Sequence, residues 1–161
     1  MSATNAVQTS KQLQLLHRKS VENYVCAIKA QDNGYFNVAV SRLYYSCLLI
    51  LKRCLIESGD YTEQDFVSPK GGSHVYIIDS YIQKLFPSLQ KSNQFFVDIG
   101  YIRTLKDHRR DADYSPDIDY CASRTQKKYE TCLKNARKCL SAIESIHNIK
   151  IINWEEEDEK R

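Results

Sequence analysis

The densest group of side chains able to do chemistry lies in residues 101–114. Its cations and its histidine are Arg103, Lys106, His108, Arg109 and Arg110. An imidazole with an ordinary pKa near 6.5 is a common acid or base for metal-free cleavage of an RNA phosphodiester, and guanidinium groups hold phosphate bidentately. Cations near the end of a helix also complement its dipole without binding anything. The segment therefore predicts either a phosphate site or a structural group of ion pairs.

Helical geometry divides these cations between two faces. Arg109 follows Ile102 by seven residues and Asp113 follows it by eleven, so both lie on the apolar stripe if the helix continues that far. A fixed charge at the edge of a core needs a partner, and the spacing predicts an i,i+4 pair between Arg109 and Asp113. Arg103 and Arg110 share a flanking face of the same helix.

The pair Arg103 and His108 gives a second arrangement for catalysis. His108 follows Arg103 by five positions, which places their side chains about 140° apart around a regular helix. They meet only if the helix unwinds or if two copies of the chain come together. An arginine and a histidine at such a spacing occur frequently by chance, so the spacing alone decides nothing.

The apolar periodicity predicts that helices position this segment. An amphipathic helix is expected over Leu13–Ala30, a largely buried central helix over Tyr35–Ser58, and a short helix from Ser73 that ends before Pro87. A fourth helix is expected to begin after Ser92. Its predicted core residues are Phe95, Phe96, Ile99, Ile102 and Leu105.

A long last helix is predicted to begin at Asp117 or Asp119, after the Ser115-Pro116 break. Its predicted apolar stripe consists of Tyr129, Leu133, Ala136, Leu140, Ile143 and Ile146. Together these elements predict an all-α, up-down bundle of four to five helices. Residues 1–10 are expected to be flexible, residues 11–148 to form the domain, and residues 149–161 to form an acidic tail.

Composition excludes several classes of protein. The longest uninterrupted apolar run, Cys47–Leu51, is far too short to cross a bilayer, and the polar N-terminus has no apolar signal region, so a cytoplasmic location is expected. The six cysteines lack zinc-ligand spacing and are expected to be buried thiols. We expect no metal and no cofactor. The net charge of +3 includes the acidic tail, which leaves the rest of the chain more basic and permits a polyanionic partner.

Three separated stretches resemble the HEPN superfamily, the small helical domains named for higher eukaryotes and prokaryotes nucleotide-binding. Residues 39–48, Ala-Val-Ser-Arg-Leu-Tyr-Tyr-Ser-Cys-Leu, resemble the family's second helix. Residues 70–74, Lys-Gly-Gly-Ser-His, resemble the loop that brings a histidine to the next helix. Residues 109–114, Arg-Arg-Asp-Ala-Asp-Tyr, resemble the Arg-x-x-Ala-Asp-Tyr signature of small stand-alone members. The resemblance covers the whole domain.

The resemblance implies a helical homodimer that cleaves RNA without metal, leaving a 2′,3′-cyclic phosphate, through an Arg-x4-6-His motif in a cleft between protomers. It also implies a toxin or phage-defence setting beside a nucleotidyltransferase partner. Aligned on the signature, Arg109 takes the family arginine and Asp113 falls where the histidine belongs. The other register makes Arg103 and His108 the catalytic pair, and it is the one we expect.

Further residues are expected to have roles around that pair. The predicted phosphate ligands are Arg109, Arg110, Lys106 and Arg42, and the other site candidates are Asp113, Tyr114 and His74. Tyr114 matches a position that some family members modify. The missing histidine after Arg109 keeps an alternative open, in which the chain is a catalytically silent module that binds nucleotide or RNA, or a partner subunit of a neighbouring enzyme. His17 and His147 have no motif around them and are expected at the surface.

Overall fold

A computed structural model describes residues 3–67, 72–89, 91–114 and 122–153, and the side chains of all of these except 3–8 and 122–125. The described residues form helices and no strand. The elements in chain order are α1 (Ala3–Asp32), α2 (Phe36–Glu57), a 3-10 turn (Glu63–Phe66), α3 (Ser73–Ser80), a π turn (Tyr81–Leu85), α4 (Phe86–Ser88), α5 (Asn93–Tyr114) and α6 (Ala122–His147). The all-α prediction is confirmed.

The four long helices form an up-down bundle around α2. Helix α1 packs antiparallel to α2, and the Ser20 hydroxyl donates a hydrogen bond of 2.8 Å to the Ser46 carbonyl. Helices α5 and α6 also contact α2 and pair with each other, and the Cys139 thiol lies 3.9 Å from the Ile99 carbonyl. Helix α2 is apolar on most sides, and α1, α5 and α6 bury these sides, as the sequence predicts.

The last helix supplies the stripe that its sequence predicts. The buried side chains of α6 include Tyr129, Leu133, Ala136, Leu140, Ile143 and Ile146. Four cysteines, Cys47, Cys54, Cys132 and Cys139, are buried free thiols, as expected, but Cys26 is exposed on α1. Cys121 and the predicted helix starts Asp117 and Asp119 lie outside the described residues.

Several boundaries differ from the predicted ones. Helix α1 begins at Ala3, so the described part of the segment expected to be flexible is helical. Pro87 does not end its helix. It is the second residue of α4, and the π turn joins α4 directly to α3, so the helical backbone continues past it. Phe96 was expected in the core and is exposed, whereas Ile99, Ile102 and Leu105 are buried.

The chain continues to pack against the bundle after α6. Ile151 and Ile152 are buried, and their backbone N–H groups donate 2.6 Å and 2.8 Å to the Glu144 carboxylate. The first residues assigned to the tail therefore belong to the core. The acidic residues from 155 onward lie outside the described residues.

His147 is not a surface residue. Its Nε2 lies 2.7 Å from the hydroxyl of Tyr81, and Tyr81 is fully buried in the π turn. Burial, reinforced by the positive charges of Arg53 and Lys91, lowers the pKa of His147 to about 4. The contact ties the end of α6 to the segment that follows α3.

Candidate functional site

An ion pair at the end of α5 joins that helix to α2. Arg109 Nε lies 2.6 Å from Asp113 Oδ2, the i,i+4 pair that the helical spacing predicts, and both side chains are mostly covered. The other carboxylate oxygen of Asp113 accepts a hydrogen bond from the hydroxyl of Ser41 on α2. Since α5 is regular through Tyr114, the pair and its α2 partner hold the signature segment against the central helix.

Two tyrosine rings enclose the Arg109 guanidinium. The carbon at its centre lies 5.6 Å from the ring centroid of Tyr45 and 5.3 Å from that of Tyr114. Only 19% of the Arg109 side chain is exposed, so the cation–π contacts act where solvent screens them weakly. Tyr114 itself is 69% exposed and forms the outer wall.

His74, the second residue of α3, packs against the same part of α2. Its ring centroid lies 5.6 Å from the centroids of both Tyr44 and Tyr45. Burial lowers the pKa of His74, and the positive charges of Arg109 and Lys106 lower it further. The imidazole is therefore neutral at pH 7 and able to accept a proton.

These contacts define one site, which we call the Arg109 cluster. Its members are Ser41, Tyr44, Tyr45, His74, Arg109, Asp113 and Tyr114. They come from α2, α3 and α5, which are far apart in the chain. Each of the three stretches that carry the family resemblance contributes at least one member.

The Tyr44 hydroxyl is an unused hydrogen-bonding group in this cluster. The side chain of Tyr44 is fully buried, and its hydroxyl has no hydrogen-bond partner among the described residues. Burial raises the pKa of Tyr44, and the charge of Arg109 opposes that rise, so the hydroxyl stays protonated. A buried hydroxyl without a hydrogen-bond partner is rare.

Arg103 lies on another side of α5, against α3. Its Nη2 is 3.0 Å from Asp79 Oδ1. A pocket of about 380 Å³ opens beside this ion pair. Its lining residues are Val75, Ile78, Asp79, Gln83, Arg103, Lys106 and Asp107.

His108 faces α6 instead. Burial lowers its pKa, the charge of Lys128 lowers it further, and the carboxylates of Asp111 and Asp107 oppose the shift. Lys128 also lies 3.5 Å from Asp111, so this corner of the α5–α6 pairing is polar. Because α5 is a regular helix here, Arg103 and His108 do not form a pair within one chain.

The remaining predicted phosphate ligands, Lys106, Arg42 and Arg110, lie outside the cluster and differ in their partners. Lys106 lines the pocket, influences His74, and makes no ion pair with any described residue. Arg42 is exposed, and its Nη1 donates a hydrogen bond of 3.3 Å to the amide oxygen of Asn23 on α1. Arg110 is exposed and lies 4.0 Å from both Asp107 and Asp111, a separation too long for a strong pair.

The sequence predicts His74, the α3 member of the Arg109 cluster, but neither the α2 members nor Asp79. Ser41, Tyr44 and Tyr45 lie in the stretch that resembles the family's second helix, where Arg42 is the predicted site residue. A hydroxyl and two rings beside an arginine on an otherwise buried helix were the available signal. Asp79 had no local signal, because its partner Arg103 reaches it only through the fold.

Neither a metal site nor a membrane span is present in the part of the chain that the structure describes. No group of three or more histidine, cysteine, aspartate or glutamate side chains there is arranged to hold a metal ion. No described helix is both long and apolar enough to cross a bilayer.

Comparison with protein families identifies the fold around this site. Residues 13–146 match the HEPN domain, which is most of the chain and includes every member of the Arg109 cluster. The chain belongs to the HEPN domain family. Membership supports a role in RNA cleavage or in nucleotide binding. No curated protein and no solved structure gives a significant match.

Proposed function

We propose that this chain is a metal-independent ribonuclease that holds an RNA phosphate at the Arg109 cluster. The observation that carries the proposal is that Arg109 and His74 both contact the ring of Tyr45. A permanent cation and a neutral imidazole thus share one site, with the buried Tyr44 hydroxyl beside them. Phosphate stabilisation and proton transfer are the two requirements for this cleavage.

In the proposed reaction the neutral imidazole of His74 removes the proton from a ribose 2′-hydroxyl. The 2′ oxygen then attacks phosphorus, a 2′,3′-cyclic phosphate forms, and the bond to the 5′ oxygen breaks. That oxygen leaves with the proton that the His74 imidazolium returns to it. Arg109 and Lys106 offset the negative charge that builds on the phosphate oxygens.

Arg103 and His108 remain a proposed catalytic pair only across two chains. The regular helix α5 keeps them on different sides of one protomer, so a partner copy would have to supply one of the two side chains. The homodimer implied by the family resemblance would allow this. A toxin or defence setting with a nucleotidyltransferase partner is also part of this proposal.

A second function, RNA or nucleotide binding without cleavage, is favoured by how firmly Arg109 is held. Its charge is compensated by Asp113 and its faces contact two rings, which suits a structural cation as well as a phosphate ligand. In that case Lys106, Arg42 and Arg110 carry the phosphate contacts at the rim. Such binding weakens steeply with added salt.

The test is incubation of the full chain with labelled single-stranded RNA and tRNA in EDTA, followed by analysis of the fragment ends. Wild type should cut and leave cyclic phosphate, and His74→Ala should lower the rate by roughly 10²–10⁴ while RNA binding persists. His17→Ala is the matched control, because His17 lies on α1 away from the cluster and should cut like wild type.

Three outcomes contradict the cleavage proposal. Loss of cutting in EDTA would mean a metal-dependent activity, and equal cutting by wild type and His74→Ala would remove His74 from the reaction. If no protein cuts but RNA binds in a salt-dependent way, the binding function replaces the ribonuclease.

A further inference from the structure

The pocket between α3 and α5 is separate from the Arg109 cluster and adjoins it. Val75, which lines the pocket, directly follows His74, and Lys106 lies between the two sites. The volume of about 380 Å³ is in the range of small-molecule sites. A ligand with a phosphate in the cluster would therefore have room for a neighbouring ring in this pocket.

The pocket wall combines an apolar surface with a polar edge. Val75 and Ile78 offer aliphatic surface on which a flat ring can pack. Gln83 comes from the π turn, a widened helical turn of a kind frequent at functional sites. The polar edge consists of Asp79 and Arg103 with Asp107 nearby, and the first two lie 3.0 Å apart.

This ion pair places a hydrogen-bond acceptor beside a donor. The carboxylate of Asp79 only accepts. Its Oδ1 receives a hydrogen bond from Arg103 and can still accept a second one, and Oδ2 is left to a ligand. Arg103 is 50% exposed and has further N–H groups to donate. A base that fits this edge must present N–H donors next to a carbonyl acceptor.

We propose that this pocket binds the guanine base of a nucleotide or of an RNA. Guanine presents N1–H and the N2 amino group to the Asp79 carboxylate, and O6 with N7 to Arg103, which is the usual arginine contact for guanine. Lys106 then lies on the side of the ligand that carries the phosphate. The inference rests on the proposed function, since it assigns the substrate class of the same site.

The other bases match the pocket less well. Adenine and cytosine each present one amino group to a carboxylate, and uracil presents a single ring N–H between two carbonyls. Two carboxylates line the pocket, Asp79 and Asp107, and both accept only. Guanine has the most N–H donors on one edge, so it can make the most hydrogen bonds to these carboxylates.

The test is equilibrium binding of four monophosphates, GMP, IMP, AMP and UMP, to the full chain by calorimetry. We expect GMP to bind at least roughly tenfold more tightly than AMP or UMP, which is the discrimination of one bidentate base contact. IMP differs from GMP only in lacking the 2-amino group, so it should lose much of this advantage without any change to the protein.

Asp79→Asn should abolish the preference for GMP over AMP, because an amide presents a donor where the carboxylate accepted. Asp79 is at the surface, and a thermal melt of the variant checks that the fold is kept. Arg18→Ala is the matched control, since Arg18 belongs to an exposed pair with Glu22 on α1 and should leave the preference unchanged.

The outcomes separate this inference from the proposed function. Equal affinity for GMP, IMP and AMP, or a preference that survives in Asp79→Asn, overturns the guanine pocket even if RNA is still cut in a His74-dependent way. A GMP preference that depends on Asp79 supports the pocket, and it does so even if no RNA is cut and the ribonuclease proposal fails.

Discussion

At the scale of single residues, the covered charge of Arg109 explains why several side chains of α2 and α5 are arranged around it. A guanidinium remains charged even when most of it is covered, so it must be compensated where it stands. Asp113 supplies the opposite charge, Ser41 orients that carboxylate, and two rings cover the cation. This arrangement fixes the position of the charge next to His74.

Asp113→Asn should destabilise the fold by about 1–2 kcal/mol, more than an exposed ion pair is worth and less than a fully buried one. The same change should strengthen RNA binding at low salt, because Arg109 loses a competing carboxylate. Urea denaturation and filter binding measure the two effects. Glu22→Gln, in the exposed pair with Arg18, is the control and should change stability by less than about 0.5 kcal/mol. Equal losses of stability in the two variants would show that the mostly covered Arg109–Asp113 pair stabilises the fold no more than an exposed pair does.

Helical spacing predicts the contact within α5 but not the contacts that α2 and α3 make with it. The Arg109–Asp113 pair follows from a four-residue spacing, and the divergence of Arg103 and His108 follows from a five-residue spacing. His74 could be placed beside Arg109 only through the family resemblance, since no periodicity links residues 35 apart. Which of them does chemistry stays a prediction.

At the scale of elements, the start of α3 sets the position of His74. Gly72 precedes this helix with φ +89° and ψ 146°, a backbone conformation that residues with a Cβ atom rarely adopt. The short helix then places His74 in its first turn, against the two tyrosines of α2. The glycine thus turns the chain into the cluster.

Gly72→Ala should destabilise the fold by about 1–3 kcal/mol, because the positive φ is strained for alanine. Gly100→Ala is the matched control within α5, where the added methyl meets nothing within 4 Å and φ is not positive. It should stabilise the protein by up to about 1 kcal/mol. Thermal melts of the two variants give the comparison, and a neutral Gly72→Ala would contradict this account of the α3 start.

The burial of His147 makes stability depend on pH. His147 has a folded pKa of about 4 against 6.5 when unfolded, so the unfolded chain binds its proton first as the pH falls. This contribution to stability is complete above about pH 7.5 and is lost as the pH falls through 6.5 to about 4, by about 2–3 kcal/mol in total because solvent screens the partly exposed ring. In His147→Gln this loss should shrink in urea titrations at pH 7 and pH 4.5. Parallel losses in variant and wild type would contradict it.

The predictability of elements followed the strength of their local signals. The stripe of α6 and the burial of α2 were clear in the sequence and are confirmed. The extension of α1 to Ala3 lacks an apolar signal, and Pro87 predicts a helix end, whereas the chain accommodates it in α4 directly after the π turn. Burial of His147 depends on the π turn, which no periodicity indicated.

At the scale of the whole molecule, the question is whether one chain or two make the reactive site. The Arg109 cluster is complete within one chain, whereas Arg103 and His108 need two. The two arrangements differ in how variants behave when mixed, since a symmetric dimer with shared sites regains function in mixed pairs.

Mixing purified Arg103→Ala with His108→Ala tests the shared arrangement. If the cluster does the chemistry, His108→Ala alone should cut RNA within a few-fold of wild type, and mixing should add nothing. If the pair acts across two chains, each variant alone is inactive and the mixture regains about a quarter of wild-type activity, because half of the dimers have one intact site. That recovery would contradict the cluster as the catalytic centre.

The most direct measurement of the central claim is the response of the four histidine side chains to a bound RNA analogue that cannot be cut. A 2′-deoxy-substituted oligonucleotide is added to the full chain with ¹³C-labelled histidine, and single variants assign the four imidazole signals by NMR. The account predicts that the His74 signal shifts and that its pKa rises towards or above its ordinary value, since a phosphate beside it favours the charged form. The signals of His17 and His147 should stay in place. A shift of His108 with His74 unchanged would contradict the account and place the phosphate on the α6 side of α5.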